Sequence, residues 1–304
     1  MAKEIYKSAS SYLLQTTTIE KIFYFTLTVV TLYCMSTIGQ KTVETMETQT
    51  SSQFVNKRGS DIYDDFYANV YDELFFDKRK HEYELALILS NTALSHRSKM
   101  LDIGSGTGHY VGDLNKAGYN ISGIDISQQM IDKAKKNYPT SEFTKSDALT
   151  SISYPRNNFT HIMCMYFTIY IIADMDLLFN NCMEWLTSDG YLILHMVDLD
   201  IFDPTLNIAT TTYSEGPKII SESTIKDYTC KTSFTIIEDN ATFTEKFKNV
   251  NDNSERINVH EIVMPTLQTI QSNAESRGFE LKIRKELDGV GYEGQYIYIF
   301  KKSN

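Results

Sequence analysis

The stretch Leu101-Asp102-Ile103-Gly104-Ser105-Gly106-Thr107-Gly108 decides the fold class. An apolar run from Lys99 to Ile103 ends in alternating glycines, and a helical pattern over 108–117 follows at once. Glycine lets a backbone approach a ligand with no Cβ in the way, so a glycine turn between a strand and a helix is where such folds seat a cofactor. Gly-x-Gly-x-Gly alone is weak evidence, but two acids strengthen it. Asp102 stands just ahead of the first glycine, and Asp125 ends the next apolar run, where a carboxylate can accept both hydroxyls of a ribose.

The flanking pattern alternates strand and helix. The spacing predicts strands at 99–103, 120–125 and 141–145, separated by helices at 108–117 and 127–137. A buried strand follows over 159–167, then a helix over 174–186 and a strand over 191–197. Ahead of the glycine turn, Tyr63, Phe66, Tyr67, Val70, Tyr71 and Leu74 recur at helical spacing, and a second helix covers 81–93. Helices between short apolar strands predict an α/β fold with a doubly wound, mostly parallel sheet. Beyond Asp200 the periodicity changes. Residues 229–238, 241–249 and 256–264 alternate between polar turns, an antiparallel insertion spanning about 205–264. Pro265 to Arg277 is a helix with Gly278 at its end, and 279–287 and 295–301 close the chain as an edge pair of strands.

With Asp102, Gly104, Gly106, Gly108 and Asp125 at these places, residues 61–200 resemble class I S-adenosylmethionine (SAM)-dependent methyltransferases. The resemblance implies a seven-stranded Rossmann-like sheet with a reversed strand near its edge, and SAM as cofactor. It also implies roles. The turn of Gly104, Gly106 and Gly108 holds the methionine part, with Asp102 near its amino group. Asp125, with Ile126 beside it, holds the ribose, and Asp147 with Ala148 meets the adenine. A nicotinamide dinucleotide is the competing ligand, making an NAD-dependent oxidoreductase the less favoured enzyme class. An inactive SAM- or nucleotide-binding scaffold is the alternative from outside enzymology. The strings Phe167-Thr168-Ile169-Tyr170, His195-Met196-Val197-Asp198 and Phe202-Asp203-Pro204 are similar to poorly characterised methyltransferases of large DNA viruses.

Methyl transfer from a sulfonium is an in-line displacement, so positioning supplies much of the catalysis and a base is needed only when the acceptor is protonated. Tyr67 and Tyr71 either turn aromatic faces to the sulfonium or serve as core. Tyr166, after the fourth strand, and His195, ending the fifth, stand where open α/β sheets build their ligand crevice, and are the catalytic candidates. The Asn/Asp-Pro-Pro-Tyr motif of many amino-methylating nucleic-acid enzymes is absent, since the segment reads Cys164-Met165-Tyr166-Phe167. The net charge of −10 also disfavours a grip on phosphate backbones. A small molecule or a protein side chain is left as acceptor.

The four cysteines form no C-x-x-C pair, so no metal site is written here. Residues 22–38 carry no charge and lie between Lys21 and Lys41. Seventeen helical residues cover ~25 Å, which makes the segment a candidate transmembrane helix within an N-terminal region 1–39. A signal peptide and an amphipathic helix are the alternatives. Residues 40–60 read as a polar, flexible linker leading to a methyltransferase domain at 61–304. The location follows as membrane-associated with either side open, or else cytoplasmic. A homodimer is compatible with the insertion, which covers either the active-site side or a dimer interface.

Overall fold

The glycine turn follows an interior strand of a seven-stranded sheet. In the computed structural model, residues 54–150 and 154–303 are described. The chain divides into two compact units, Met1–Phe54 and Val55–Asn304, and the described residues belong to the second apart from Phe54. The candidate span 22–38 and the tether as far as residue 53 lie outside the described residues, among which no helix is long and apolar enough to cross a membrane.

The elements run β1 (Phe54–Arg58), a 3-10 turn (Gly59–Ile62), α1 (Asp65–Phe75), α2 (Lys78–Asn91), β2 (Lys99–Ile103), α3 (His109–Lys116), β3 (Asn120–Asp125), α4 (Gln128–Asn137), β4 (Glu142–Lys145), β5 (Phe159–Cys164), α5 (Thr168–Ile171), α6 (Met175–Trp185) and β6 (Leu186–Val197). Then follow β7 (Thr211–Glu215), β8 (Lys218–Ile225), β9 (Tyr228–Ile237), β10 (Asn240–Asn249), β11 (Glu255–Val263), α7 (Leu267–Ser276), β12 (Phe279–Leu287) and β13 (Tyr292–Lys302). The seven-stranded sheet has the order β12-β13-β6-β5-β2-β3-β4. Its five strands from β2 to β6 are parallel, β13 runs against β6, and β12 runs against β13.

Strands β2 and β5 are buried almost throughout because helices cover both faces of the sheet. Alternate residues of β6 and β13 divide the core. Leu192, Leu194, Tyr298 and Phe300 pack with Phe179 and Trp185 of α6, whereas Ile193, Ile297 and Ile299 pack with Val111 and Leu114 of α3. Side-chain caps fix where the helices begin. Asp64, Asp77, Ser127, Asp174 and Thr266 each accept a backbone N–H of the first turn.

The second sheet has six strands in the order β1-β11-β10-β9-β8-β7. It contains the insertion, but it also takes in β1 from a region whose composition predicts a flexible linker. Phe54–Arg58 is polar enough to read as tether, yet it sits next to β11 in the sheet, so pairing decided its state rather than hydrophobicity. Helix α1 packs against this sheet: Tyr67, Val70 and Leu74 share a cluster with Ile225, Cys230 and Phe247. The buried strand predicted through Phe167 ends at Cys164, and Tyr166 adopts a left-handed backbone (φ 51°) that turns the chain.

Candidate active site

The ends of β2, β3 and β5 and the segment after β4 open into one cavity of about 440 Å³, roofed by α1 and the inner face of the six-stranded sheet. Gly104 and Gly106 have φ of 69° and 52°. A Cβ on Gly104 would fall 2.5 Å from the Thr168 side chain, whereas one on Gly106 meets nothing within 4 Å. Gly104 thus permits packing, and Gly106 bends the chain along open space. Gly108 does not line the cavity. It caps α3 with φ 92°, and its Cα faces the Phe143 ring, so its role is the close approach of helix to strand, a correction to its expected cofactor contact.

Asp102 lines the cavity with 1% exposure, and its Oδ1 has no hydrogen-bond partner among the described residues. Burial first, and then the charge of Asp125, holds its carboxyl well above the ordinary carboxylate range. Asp125 is held from two sides: Gly106 N–H donates to Oδ2 at 3.0 Å and Ser127 N–H to Oδ1 at 2.8 Å. Burial raises its pKa, and these amides oppose the rise. Ile126 is 55% exposed at the rim. Asp147 accepts the Leu149 N–H at 2.9 Å, and the buried Ala148 carbonyl accepts Asn181 Nδ2–H at 2.9 Å. All five line the cavity, as do Tyr67, Tyr71 and Tyr166.

The opposite half is aromatic. Tyr63, just ahead of α1, and Tyr67 and Tyr71 on it meet edge to face at 5.5 and 5.8 Å between ring centres. Burial and the nearby Asp125, Asp72 and Glu245 raise the Tyr71 hydroxyl above its usual pKa. Across from them, Phe234, Phe243 and His260 form one row over β9, β10 and β11. At the α2 end, Lys80 Nζ donates to Gln295 Oε1 at 2.7 Å, lies 3.9 Å from Glu84 and sits 5.1 Å from the Tyr166 ring centre. Burial lowers the Lys80 pKa, and Glu84 and Asp77 oppose it. The Tyr166 hydroxyl is buried without a partner among the described residues.

His195 is corrected as a catalytic candidate. It is fully buried and does not line the cavity; Nδ1 lies 2.7 Å from the Tyr166 carbonyl and Nε2 lies 3.1 Å from Gln295. Burial, with Lys80 nearby, pushes its pKa down to about 3, so the ring is neutral at physiological pH and supports the turn at Tyr166.

Sequence reasoning missed Tyr63, Asp72, Lys80, Phe234, Phe243 and His260, all of which line the cavity. A signal for the inserted sheet existed. The alternation Ala241, Phe243, Glu245, Phe247 puts an acid on the apolar phase of β10, and Arg256, Asn258, His260, Ile262 puts polar groups on the inward phase of β11. Nothing in the sequence said that this face would meet the strand ends.

Residues 101–194 match a family whose description is methyltransferase domain. The phosphoethanolamine N-methyltransferase of Plasmodium falciparum (isolate 3D7) is 33% identical over 112 residues, which are 35% of this chain and 42% of that enzyme. The match therefore spans less than half of that relative. Among solved structures, an S-adenosylmethionine-dependent methyltransferase from Clostridium acetobutylicum ATCC 824 aligns at a TM-score of 0.61 and 15% identity, covering 78% of this chain and 98% of that one. SAM-bound CalS10, an amino pentose methyltransferase from Micromonospora echinaspora, aligns at 0.55 and 14% identity, covering 78% and 96%. Residues 101–194 thus match a methyltransferase domain, and the fold is that of solved SAM-dependent methyltransferases.

Proposed function

We propose that the chain is a SAM-dependent methyltransferase that transfers the methyl group to an amine of a small molecule. The observation that carries the cofactor half is the unpartnered, buried Oδ1 of Asp102 beside the Gly104 and Gly106 turn. An orphaned carboxylate oxygen in a cavity is the partner that an α-ammonium group requires. In this reading the Gly104 to Gly106 turn holds the methionine backbone, and the free lone pairs of Asp125 take the ribose hydroxyls. Asp147, Ala148 and Ile126 frame the adenine. The bound cofactor supplies an electrophilic methyl on a sulfonium.

Charge and lining support an amine acceptor. Asp72, Asp102, Asp125, Asp147 and Asp203 face the cavity against one lysine, which is itself beside Glu84. The aromatic faces of Tyr67, Tyr71 and Phe243 suit both a sulfonium and an ammonium ion. The roof formed by the inserted sheet favours a small molecule over a protein side chain, and the names of two of the similar proteins, an N-methyltransferase and an amino pentose methyltransferase, point the same way.

Calorimetry of SAM with the full chain, followed by S-adenosylhomocysteine release across ethanolamine, phosphoethanolamine, amino sugars, hydroxy acids and peptides, tests this. Micromolar SAM binding and turnover with an amine are expected. No SAM binding overturns the cofactor assignment, and release only with peptides or hydroxy acids overturns the acceptor. Binding without turnover on any acceptor favours a scaffold. The proposal extends to tethering through 22–38, supported by the absence of charge there. The full chain is expected to float with liposomes, and Val29→Asp with Leu32→Asp to abolish flotation; an unchanged distribution removes the anchor.

A further inference from the structure

The inner face of the inserted sheet carries a chain of polar groups that the cofactor does not use. Asp64, the cap of α1, accepts two hydrogen bonds from Arg256 Nη1 at 2.9 and 2.8 Å. Arg256 Nε–H donates to Asn258 Oδ1 at 2.8 Å, and this fixes which end of the amide is oxygen. Asn258 Nδ2–H therefore donates to Glu245 Oε2 at 3.1 Å, and the Tyr67 hydroxyl donates to Oε1 at 3.0 Å. His260 Nε2 lies 3.0 Å from the same Oε2. Glu245 and Asn258 are fully buried.

A carboxylate that already receives donors on both oxygens is an acceptor, so Nε2 of His260 must carry a hydrogen toward it. The neutral ring then keeps its lone pair on Nδ1. Nδ1 has no hydrogen-bond partner among the described residues, and His260 lines the cavity opposite the cofactor half. The register explains how the pair is held: His260 stands opposite Phe243, and Glu245 opposite Asn258, so acid and imidazole are diagonal neighbours on one face.

We propose that His260 is the general base of the reaction and that Glu245 is its positioning residue. The inference rests on the proposed amine acceptor. At neutral pH that amine arrives as an ammonium ion. Nδ1 takes one N–H proton and the ring becomes an imidazolium, stabilised by Glu245. The freed nitrogen lone pair forms the new N–CH3 bond as the C–S bond breaks, its electron pair going to sulfur. The imidazolium then returns its proton to water. The ionisable groups that face the ring are Glu245 from β10, Tyr67 from α1 and Tyr63 ahead of it, with Arg256 one step further through Asn258.

The test uses the full chain. Nitrogen-15 NMR of the histidine-labelled protein, assigned by loss of a signal in His260→Gln, is expected to show the Nε2–H tautomer. An Nδ1–H tautomer overturns the proposal whatever the activity. His260→Gln is expected to lower kcat at pH 7 by about 10²–10⁴-fold, while SAM affinity by calorimetry stays within about twofold, which also reports that the fold is intact. The deficit should narrow as pH rises, because the free amine then loses its proton without help. Glu245→Gln should move the acidic limb of the pH profile to lower pH and lower kcat less, since the imidazolium loses its partner. An active wild type whose His260→Gln variant keeps kcat and pH profile overturns the base alone. A wild type that releases no S-adenosylhomocysteine overturns the underlying function instead.

Discussion

The half of the cavity proposed for the cofactor takes its side chains from a short run of sequence, Asp102 to Ala148, whereas the half across from it joins Tyr67 to Glu245, 178 positions away. In the first half the turns at strand ends bring the groups together, and their spacing is set by one strand-turn-helix unit after another. In the second half a helix ahead of the sheet and an insertion after it close on each other. A local arrangement can keep one cofactor while a distant roof changes the acceptor, as when loops on a rigid scaffold carry specificity.

The largest effect that would break this division is at Asp125. Asp125→Ala removes two charge-assisted hydrogen bonds, each worth about 1.5–3 kcal/mol, and is expected to weaken SAM binding by about 10²–10⁴-fold. At saturating SAM, the KM for the acceptor should change little, because Asp125 belongs to the other half. Calorimetry and steady-state kinetics check the two parts separately. A large rise in acceptor KM at saturating SAM would show that the halves are not independent.

Asp102 comes next and carries a pH dependence. Its folded-state pKa is raised by burial, so its contribution to stability is present at low pH and is lost as pH rises through that raised value. Above that value the free protein bears a cost of about 1–3 kcal/mol for the unpaired carboxylate. Asp102→Asn is expected to raise the melting temperature of the free protein while weakening SAM about 10–100-fold. In the wild type, SAM affinity should rise with pH through the raised pKa, and binding below it should release a proton, seen by calorimetry in buffers of different ionisation heat. Lower stability in Asp102→Asn would mean that the carboxylate is paired in the free protein.

The same division explains how much could be read in advance. Strands β2 and β3, and the placement of Asp102 and Asp125 at the cavity, were legible because a buried parallel strand is a short run bounded by turn signals and the ligand crevice of such sheets lies at strand ends. Tyr67 and Tyr71 were placed on the right helix, but their spacing alone could not separate cavity from core, and Tyr67 turned out to serve both. His195 misled because the end of a strand has two sides, and its ring points into the sheet packing rather than the crevice. His260 was hidden for another reason. The inward phase of β11 was visible, but its meeting with α1 is a tertiary event with no local code.

A smaller effect, confined to the second half, is expected at Phe243. It faces His260 at 5.5 Å between ring centres and shares its row with Phe234. Phe243→Ala removes one aromatic face worth about 0.5–2 kcal/mol to a cation. The acceptor KM should therefore rise roughly 2–30-fold, with SAM affinity within about twofold. A change in SAM affinity as large as that in KM would place the boundary between the halves elsewhere.

The smallest effect is expected at Glu73, in the exposed one of two ties between α1 and the inserted sheet. Lys226 meets Glu73 at 2.6 Å, but both side chains are about half exposed (50% and 43%), so water and salt compete for each charge. Arg256 meets Asp64 at 2.8 Å with 10% exposure, stacks 4.6 Å from the Phe66 ring and also donates to the Ile62 carbonyl. Breaking the exposed tie with Glu73→Gln should cost at most about 1 kcal/mol and leave kinetics unchanged. Arg256→Gln should cost about 3 kcal/mol, because the buried Asn258 Oδ1 loses its donor and Asp64 keeps only the Tyr67 N–H and Lys57, and it should raise acceptor KM through the displaced Glu245 and His260. Denaturant unfolding of both variants, with acceptor kinetics, checks the difference. Equal costs would mean that the roof is held by its apolar contacts alone, with the polar chain serving only to aim His260.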